Sequence, residues 1–242
     1  MVQMPSERAL LDAWEIGLEQ GPVERGLTLL WVASPGDDPG ALAALSIGER
    51  DRRLLALREA ALGPRMTGLV GCPRCGEQLE LELATHELRI APPRDAALTL
   101  RGDDYEVQLR LPDSRDLLAV AAMDASTAPA ALLERCLVFA RVGGEPAGAD
   151  RLSPDLVAEA GRRLADADPQ ADLRFALACP ACSFDWSAPF DIVAFLWTEI
   201  EAWANRLLGD VHVLASAYGW SEPDVLALSP ARRRSYLRMV CA

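Results

Sequence analysis

An α+β fold follows from three features of the sequence. Two Cys-x-x-Cys pairs, Cys72/Cys75 and Cys179/Cys182, stand 103 residues apart, each beside a segment of alternating polar and apolar residues. Apolar residues at helical spacing fill both ends of the chain. The stretch between the pairs carries strand and helix signals of its own. Together these predict helical N- and C-terminal parts around a split zinc ribbon of two β-hairpin knuckles, with an inserted α/β lobe.

Residues 1–66 form the helical N-terminal part. Leu10, Leu11, Trp14, Ile16 and Leu18 are spaced for one buried helix face, and Val23 to Val32 is a second apolar stretch. Ser34 to Gly40 is built of turn residues. Gly48 to Leu62 reads as a strong helix stopped by Gly63-Pro64. Residues 67–86 hold the first knuckle, Cys72-Pro-Arg-Cys-Gly76, followed by the alternating segment Gln78 to Leu83.

Residues 87–170 are the inserted lobe. Leu98 to Leu100 and Tyr105 to Leu111 predict a hairpin around Gly102-Asp-Asp104. Ser114 is the expected cap of a helix from 115 to 123, and a second helix is expected over about 130–140. Ser153-Pro154 opens a third. Residues 171–188 hold the second knuckle, Cys179-Pro-Ala-Cys182, between Asp172–Ala178 and the return strand Phe184-Asp-Trp186. Residues 189–242 are helical again, with a wide apolar face from Phe190 to Trp203 and helix starts at Ser221 and Ser229-Pro230.

The composition narrows the function. The chain of 242 residues carries a net charge of −12, and all its basic residues are arginine. Phosphate backbones repel such a chain unless its cations share one face, so nucleic acid is not an expected partner. No apolar run is long enough to insert in a membrane, and no secretory leader is visible between Met1 and Leu10. A cytoplasmic product is expected.

Six cysteines in a cytosolic chain do not point to disulfides. Cys136 reads as a small core residue, and Cys241 carries no signal. The two pairs supply four thiolates, the ligand set of one structural zinc. Pro73, Pro180 and Gly76 favour turns whose backbone N–H groups face the sulfurs. A redox Cys-x-x-Cys comes singly and opens a helix, unlike either pair here. Four thiolates also close the coordination shell, leaving no position for an activated water. His86 and His212 read as ordinary surface histidines. There is no phosphate loop, Gly-x-Ser-x-Gly elbow or nucleophile beside a histidine base, so no enzyme is predicted.

Three segments carry a resemblance: Gly48 to Glu59 leading into Cys72 to Glu80, Leu109 to Leu118, and Tyr218-Gly-Trp-Ser-Glu-Pro-Asp224 through Leu237. In this order the chain resembles baseplate and hub-assembly proteins of contractile phage tails and extracellular contractile injection systems. The resemblance implies a non-enzymatic part or assembly factor of a baseplate, with other baseplate, hub or spike proteins as partners. Tyr218, Trp220, Arg232, Arg233 and Arg234 are the candidate partner-binding residues, being of types that dominate interfaces. The rival reading is a zinc-ribbon adaptor or regulator acting through protein contacts. The acidic residues Glu77, Glu80, Glu82, Asp172 and Asp185 near the knuckles argue against a nucleic-acid-binding ribbon.

Overall fold

A computed structural model describes residues 4–91 and 97–240. In chain order the elements are α1 (Glu7–Gly17), α2 (Pro22–Val32), α3 (Pro39–Ala43), α4 (Ile47–Leu62), β1 (Arg65–Gly71), β2 (Gln78–Ala84), β3 (Ala97–Arg101), β4 (Tyr105–Arg110), α5 (Ser114–Val120), α6 (Ala128–Cys136), β5 (Leu137–Val142), β6 (Glu145–Pro146), α7 (Pro154–Ala167), β7 (Arg174–Ala178), β8 (Asp185–Pro189), α8 (Ile192–Tyr218), α9 (Glu222–Leu226) and α10 (Pro230–Val240). Helix is thus mixed with three small antiparallel sheets: β1-β2, β3-β4-β5-β6 and β7-β8. No helix among the described residues is long and apolar enough to cross a membrane.

The largest core joins the two ends of the chain. Leu10 and Ala13 of α1, Leu29 and Leu30 of α2, and Leu54, Leu55 and Leu57 of α4 pack on Ile192, Val193, Leu196, Trp197 and Ile200 of α8. The expected face of α1 is narrower than the sequence suggested. Leu10, Leu11, Ala13 and Gly17 point inward, while Ile16 and Leu18 lie on the flank and are exposed. Gly17 has a steric reason: a Cβ there would stand 2.2 Å from the Trp197 ring. Arg25 donates from Nε to the Gly17 carbonyl at 2.8 Å and lies over the same ring, 4.5 Å from its centroid.

α8 is 27 residues long, about 40 Å of helix. Asp191 caps it, accepting from the N–H groups of Val193 and Ala194. Its first half lies in the main core. Its second half passes through two smaller clusters, against Leu11 and Leu226 and then against Val225, Trp220 and Tyr236.

A separate core holds residues of 98–164 only, among them Leu100, Val107, Leu109, Leu133, Leu156 and Ala160. The flanks of this stretch meet, because the Ile90 N–H donates to the Gln170 side chain at 2.7 Å. It also touches the helices. The Ile47 N–H donates to the Pro112 carbonyl, and Asp168, from beyond the stretch, accepts from the Gly48 N–H at 2.9 Å in the first turn of α4, whose cap is Ser46.

Two local expectations are corrected. The helix expected over 130–140 stops at Cys136, and Leu137–Val142 is the strand β5, paired to β4. Leu-Val-Phe-Ala-Arg-Val suits a strand once a partner edge is present. The cap of α5 is Asp113, not Ser114: Asp113 accepts from Arg115 and Asp116 N–H, and Asp116 accepts from Asp113 N–H in return. Cys136 is fully buried, as expected of a core residue, and Cys241 lies outside the described residues.

Candidate metal centre

β1 runs straight into Cys72, and β7 runs straight into Cys179. In the first knuckle the Cys72 N–H donates to the Glu77 carbonyl at 2.8 Å, and the Gly76 N–H donates to the Cys72 carbonyl at 2.9 Å. The second repeats this at the same spacing. The Cys179 N–H donates to Phe184 and the Ser183 N–H donates to Cys179, both at 2.9 Å. The fifth residue of each turn has positive φ, 79° at Gly76 and 54° at Ser183. Glycine takes that conformation freely; serine is strained in it.

The two turns bring all four sulfurs to within 4.8 Å of one another. Cys72 and Cys182 sulfurs are 3.7 Å apart, and Cys75 and Cys179 sulfurs 3.6 Å apart. These are not disulfides, whose sulfurs lie about 2.05 Å apart. They match the edge of a tetrahedron of thiolates around a metal with bonds of about 2.3 Å, which is about 3.8 Å. The cluster can therefore hold a metal ion. Cys72 and Cys179 are buried, Cys182 is half-buried and Cys75 is exposed. The first cysteine of each pair thus faces the protein and the second faces solvent.

Four thiols this close cannot all ionise without a cation among them. Burial at Cys72 is outweighed by hydrogen bonds from the backbone N–H groups of Cys75 and Arg74, which hold its thiol at about 7. Burial and the neighbouring Cys75 thiol push Cys182 up to about 12. Cys72 thus gives up its proton more readily than Cys182.

The knuckles also meet through side chains. The Arg74 guanidinium lies 6.0 Å from the Phe184 ring centroid, and Phe184 stacks on Trp186. At the far end of β1, Arg58 is buried and holds the strand in place. It donates to Glu199 of α8 at 2.9 and 2.6 Å, and to the Gly63 carbonyl at 2.6 Å. Thr85 donates from Oγ1 to Glu59 at 2.9 Å, and Glu59 also pairs with Arg89. The second hairpin rests on aromatic contacts. Phe175 and Phe190 centroids are 5.6 Å apart, and Phe190 and Phe195 centroids 5.7 Å. Nothing in the sequence singled out Arg58 or Ser183, and Phe190 and Phe195 read only as part of an apolar helix face; their roles depend on contacts with distant residues.

His86 and His212 are exposed and do not join the cysteines. The five partner-binding candidates divide. Tyr218 and Trp220 stack with centroids 4.7 Å apart, and both meet the edge of Tyr236, which sequence reading missed. Tyr218 is exposed and Trp220 half-buried. Arg232 and Arg234 are exposed. Arg233 turns inward, with its Nη atoms 2.9 and 2.8 Å from the Glu7 carboxylate and its Nε 3.5 Å from Asp210. In this conformation its guanidinium is occupied within the chain.

The family model described as T4 bacteriophage base plate protein matches residues 33–197, a span that includes both cysteine pairs and everything between them. No curated protein and no solved structure matches the chain.

Proposed function

Starting from the fact that the chain belongs to the T4 bacteriophage base plate protein family, we propose that it is a non-enzymatic component or assembly factor of the baseplate and its hub in a contractile particle. The observation that carries this reading is the family match, which spans about two thirds of the chain. The cysteine geometry supports the second part of the proposal: one structural zinc on Cys72, Cys75, Cys179 and Cys182, in a ribbon split by the lobe at 87–170. Zinc is the metal of choice because four thiolates in a tetrahedron suit its borderline-soft, geometry-neutral chemistry. A closed thiolate shell leaves the ion a fastening role.

Other baseplate, hub or spike proteins are the partners in this reading. Tyr218, Trp220, Arg232 and Arg234 offer them an aromatic pair and two exposed guanidinium groups, while Arg233 holds α10 to α1. The parts of the chain divide in function as well. The helical ends and the two knuckles form the metal-fastened body, and the lobe is a self-contained attachment. Replacing residues 97–164 by a short Gly/Ser linker is expected to leave metal content at one ion per chain.

Deleting the gene and examining the particles tests the function. Tubes and sheaths without a complete baseplate are expected, restored by the wild-type chain. Mass spectrometry of purified particles then separates a resident component from an assembly factor present only in intermediates. Complete baseplates in the deletion strain would overturn the proposal and leave the adaptor reading.

A further inference from the structure

Two helices carry charge of the wrong sign for the ends on which it stands. A helix is positive at its N-terminus and negative at its C-terminus, so carboxylates suit the first and guanidinium groups the second. α10 opens with Arg232, Arg233 and Arg234, and has no acidic residue in its first turn or further along. α1 closes with Glu15, has no basic residue in its last turn, and is followed by Glu19. Arg233 is answered within the chain by Glu7 and Asp210. Arg232, Arg234 and Arg238 are exposed and enter no ion pair among the described residues, and the same holds of Asp12, Glu15 and Glu19.

Each set of charges comes with an exposed apolar side chain. On α10, Ala231, Ser235 and Met239 recur one turn apart, with Arg234 and Arg238 to one side of this stripe and Arg232 to the other. A shallow groove follows the stripe, lined by Ala231, Arg232, Ser235, Tyr236 and Met239, without a carboxylate, and Met239 is 68% exposed. On α1, Asp12 and Glu15 share the outer face with Ile16, which is 51% exposed, and Glu19 is exposed in the turn that follows. Arg8, in the first turn, is the cation on that side of the helix. Arg232 to Arg238 and Asp12 to Glu19 each span about 10 Å along the helix axis. The two faces therefore match in length and in number of charges, and oppose each other in sign.

We propose that the exposed face of α10 docks on the exposed face of α1 in a second copy of this chain. Three guanidinium groups then meet three carboxylates, and Met239 and Ile16 leave water in the same contact. Both helix ends lose an unfavourable charge at once. Packing α10 against α10 would bring arginine against arginine, so the contact joins unlike faces. The chain supplies both halves of the match, and no foreign acidic segment is required. Arg232 and Arg234 are thereby assigned to self-association, which leaves Tyr218 and Trp220 to other baseplate proteins. The contact stands on the two faces and not on the function proposed above.

Sedimentation velocity on the purified full chain tests this. The wild type is expected to associate at about 0.05 M salt and to return to monomer at about 0.5 M, where exposed charges are screened within a few ångströms. Arg232→Glu with Arg234→Glu reverses one face, and Glu15→Arg with Glu19→Arg reverses the other. Both reversals lie at exposed positions and suit the helix ends they occupy, so both variants are expected to melt no lower than wild type. Each variant alone is expected to self-associate at least about tenfold more weakly than wild type. An equimolar mixture of the two is expected to recover association, because the reversed α10 then meets the reversed α1. A wild type that stays monomeric at low salt, variants that associate as the wild type does, or a mixture that recovers nothing would each overturn the proposal. None of these outcomes depends on the state of the baseplate in a deletion strain.

Discussion

The hairpin β1–β2 is fastened to the body by Met66 and Leu83 at the main core and, beside them, by charge: buried Arg58 grips Glu199 and the carbonyls of Gly63 and Arg65, and Thr85 and Arg89 converge on Glu59. The hairpin β7–β8 is fastened by rings, Phe175 on Phe190 on Phe195, and passes directly into α8. Yet the knuckles at their tips repeat the same hydrogen bonds at the same spacing. The cysteine-bearing turn is thus indifferent to what holds its strands. What it requires is two strand ends delivered to one place, and two unrelated kinds of contact deliver them.

The strongest way to break the pair is at the tips. Chelation, or Cys72→Ser or Cys179→Ser, is expected to lower stability by about 4 kcal/mol or more, or about 10 °C or more in melting temperature, because the binding energy of the proposed metal would be folding energy. Unchanged melting of metal-free protein, checked by elemental analysis and calorimetry, would remove the metal from the account. Next comes the charged fastening. Arg58→Ala leaves the partly buried Glu199 and a half-buried carbonyl without their partner, and is expected to cost about 2–3 kcal/mol in a denaturant titration. The aromatic fastening is more exposed. Phe190→Ala is expected to cost about 2 kcal/mol, below the usual range for a fully buried ring. Should Phe190→Ala prove costlier than Arg58→Ala, the roles of the two anchors are reversed. The smallest effect sharpens the likeness between the turns. Ser183→Gly relieves a left-handed serine and is expected to gain about 0.5 kcal/mol, whereas Gly76→Ala at the matching position costs about 1 kcal/mol.

These differences also explain what could be read from the sequence. The cysteine cluster was legible across a gap of 103 residues because a tetrahedral thiolate site needs two tight turns, and each turn is encoded locally. The strands beside it were legible through alternation. The anchors were not, because Arg58 reads as one more arginine on a helix until Glu199 lies opposite. Arg233 read as part of an exposed run for the same reason, its partner Glu7 being 226 residues away. The end of α6 was missed where an apolar run fits both periods and only the edge of β4 decides for a strand.

The long separation of the two knuckles sets a timetable for synthesis. A ribosome adds about 5–20 residues per second, so Cys179 follows Cys75 into existence by about 5–20 s. Throughout that interval Cys72 and Cys75 are a two-thiol half-site on a hairpin whose anchor on α8, Glu199, does not yet exist. The stretch 97–164, with a core of its own, is free to fold in the meantime. The nascent chain therefore passes through a stage that can hold a metal by two sulfurs but cannot yet close around it. Any thiol-reactive oxidant has its best chance at this half-site during those seconds, before the second pair arrives.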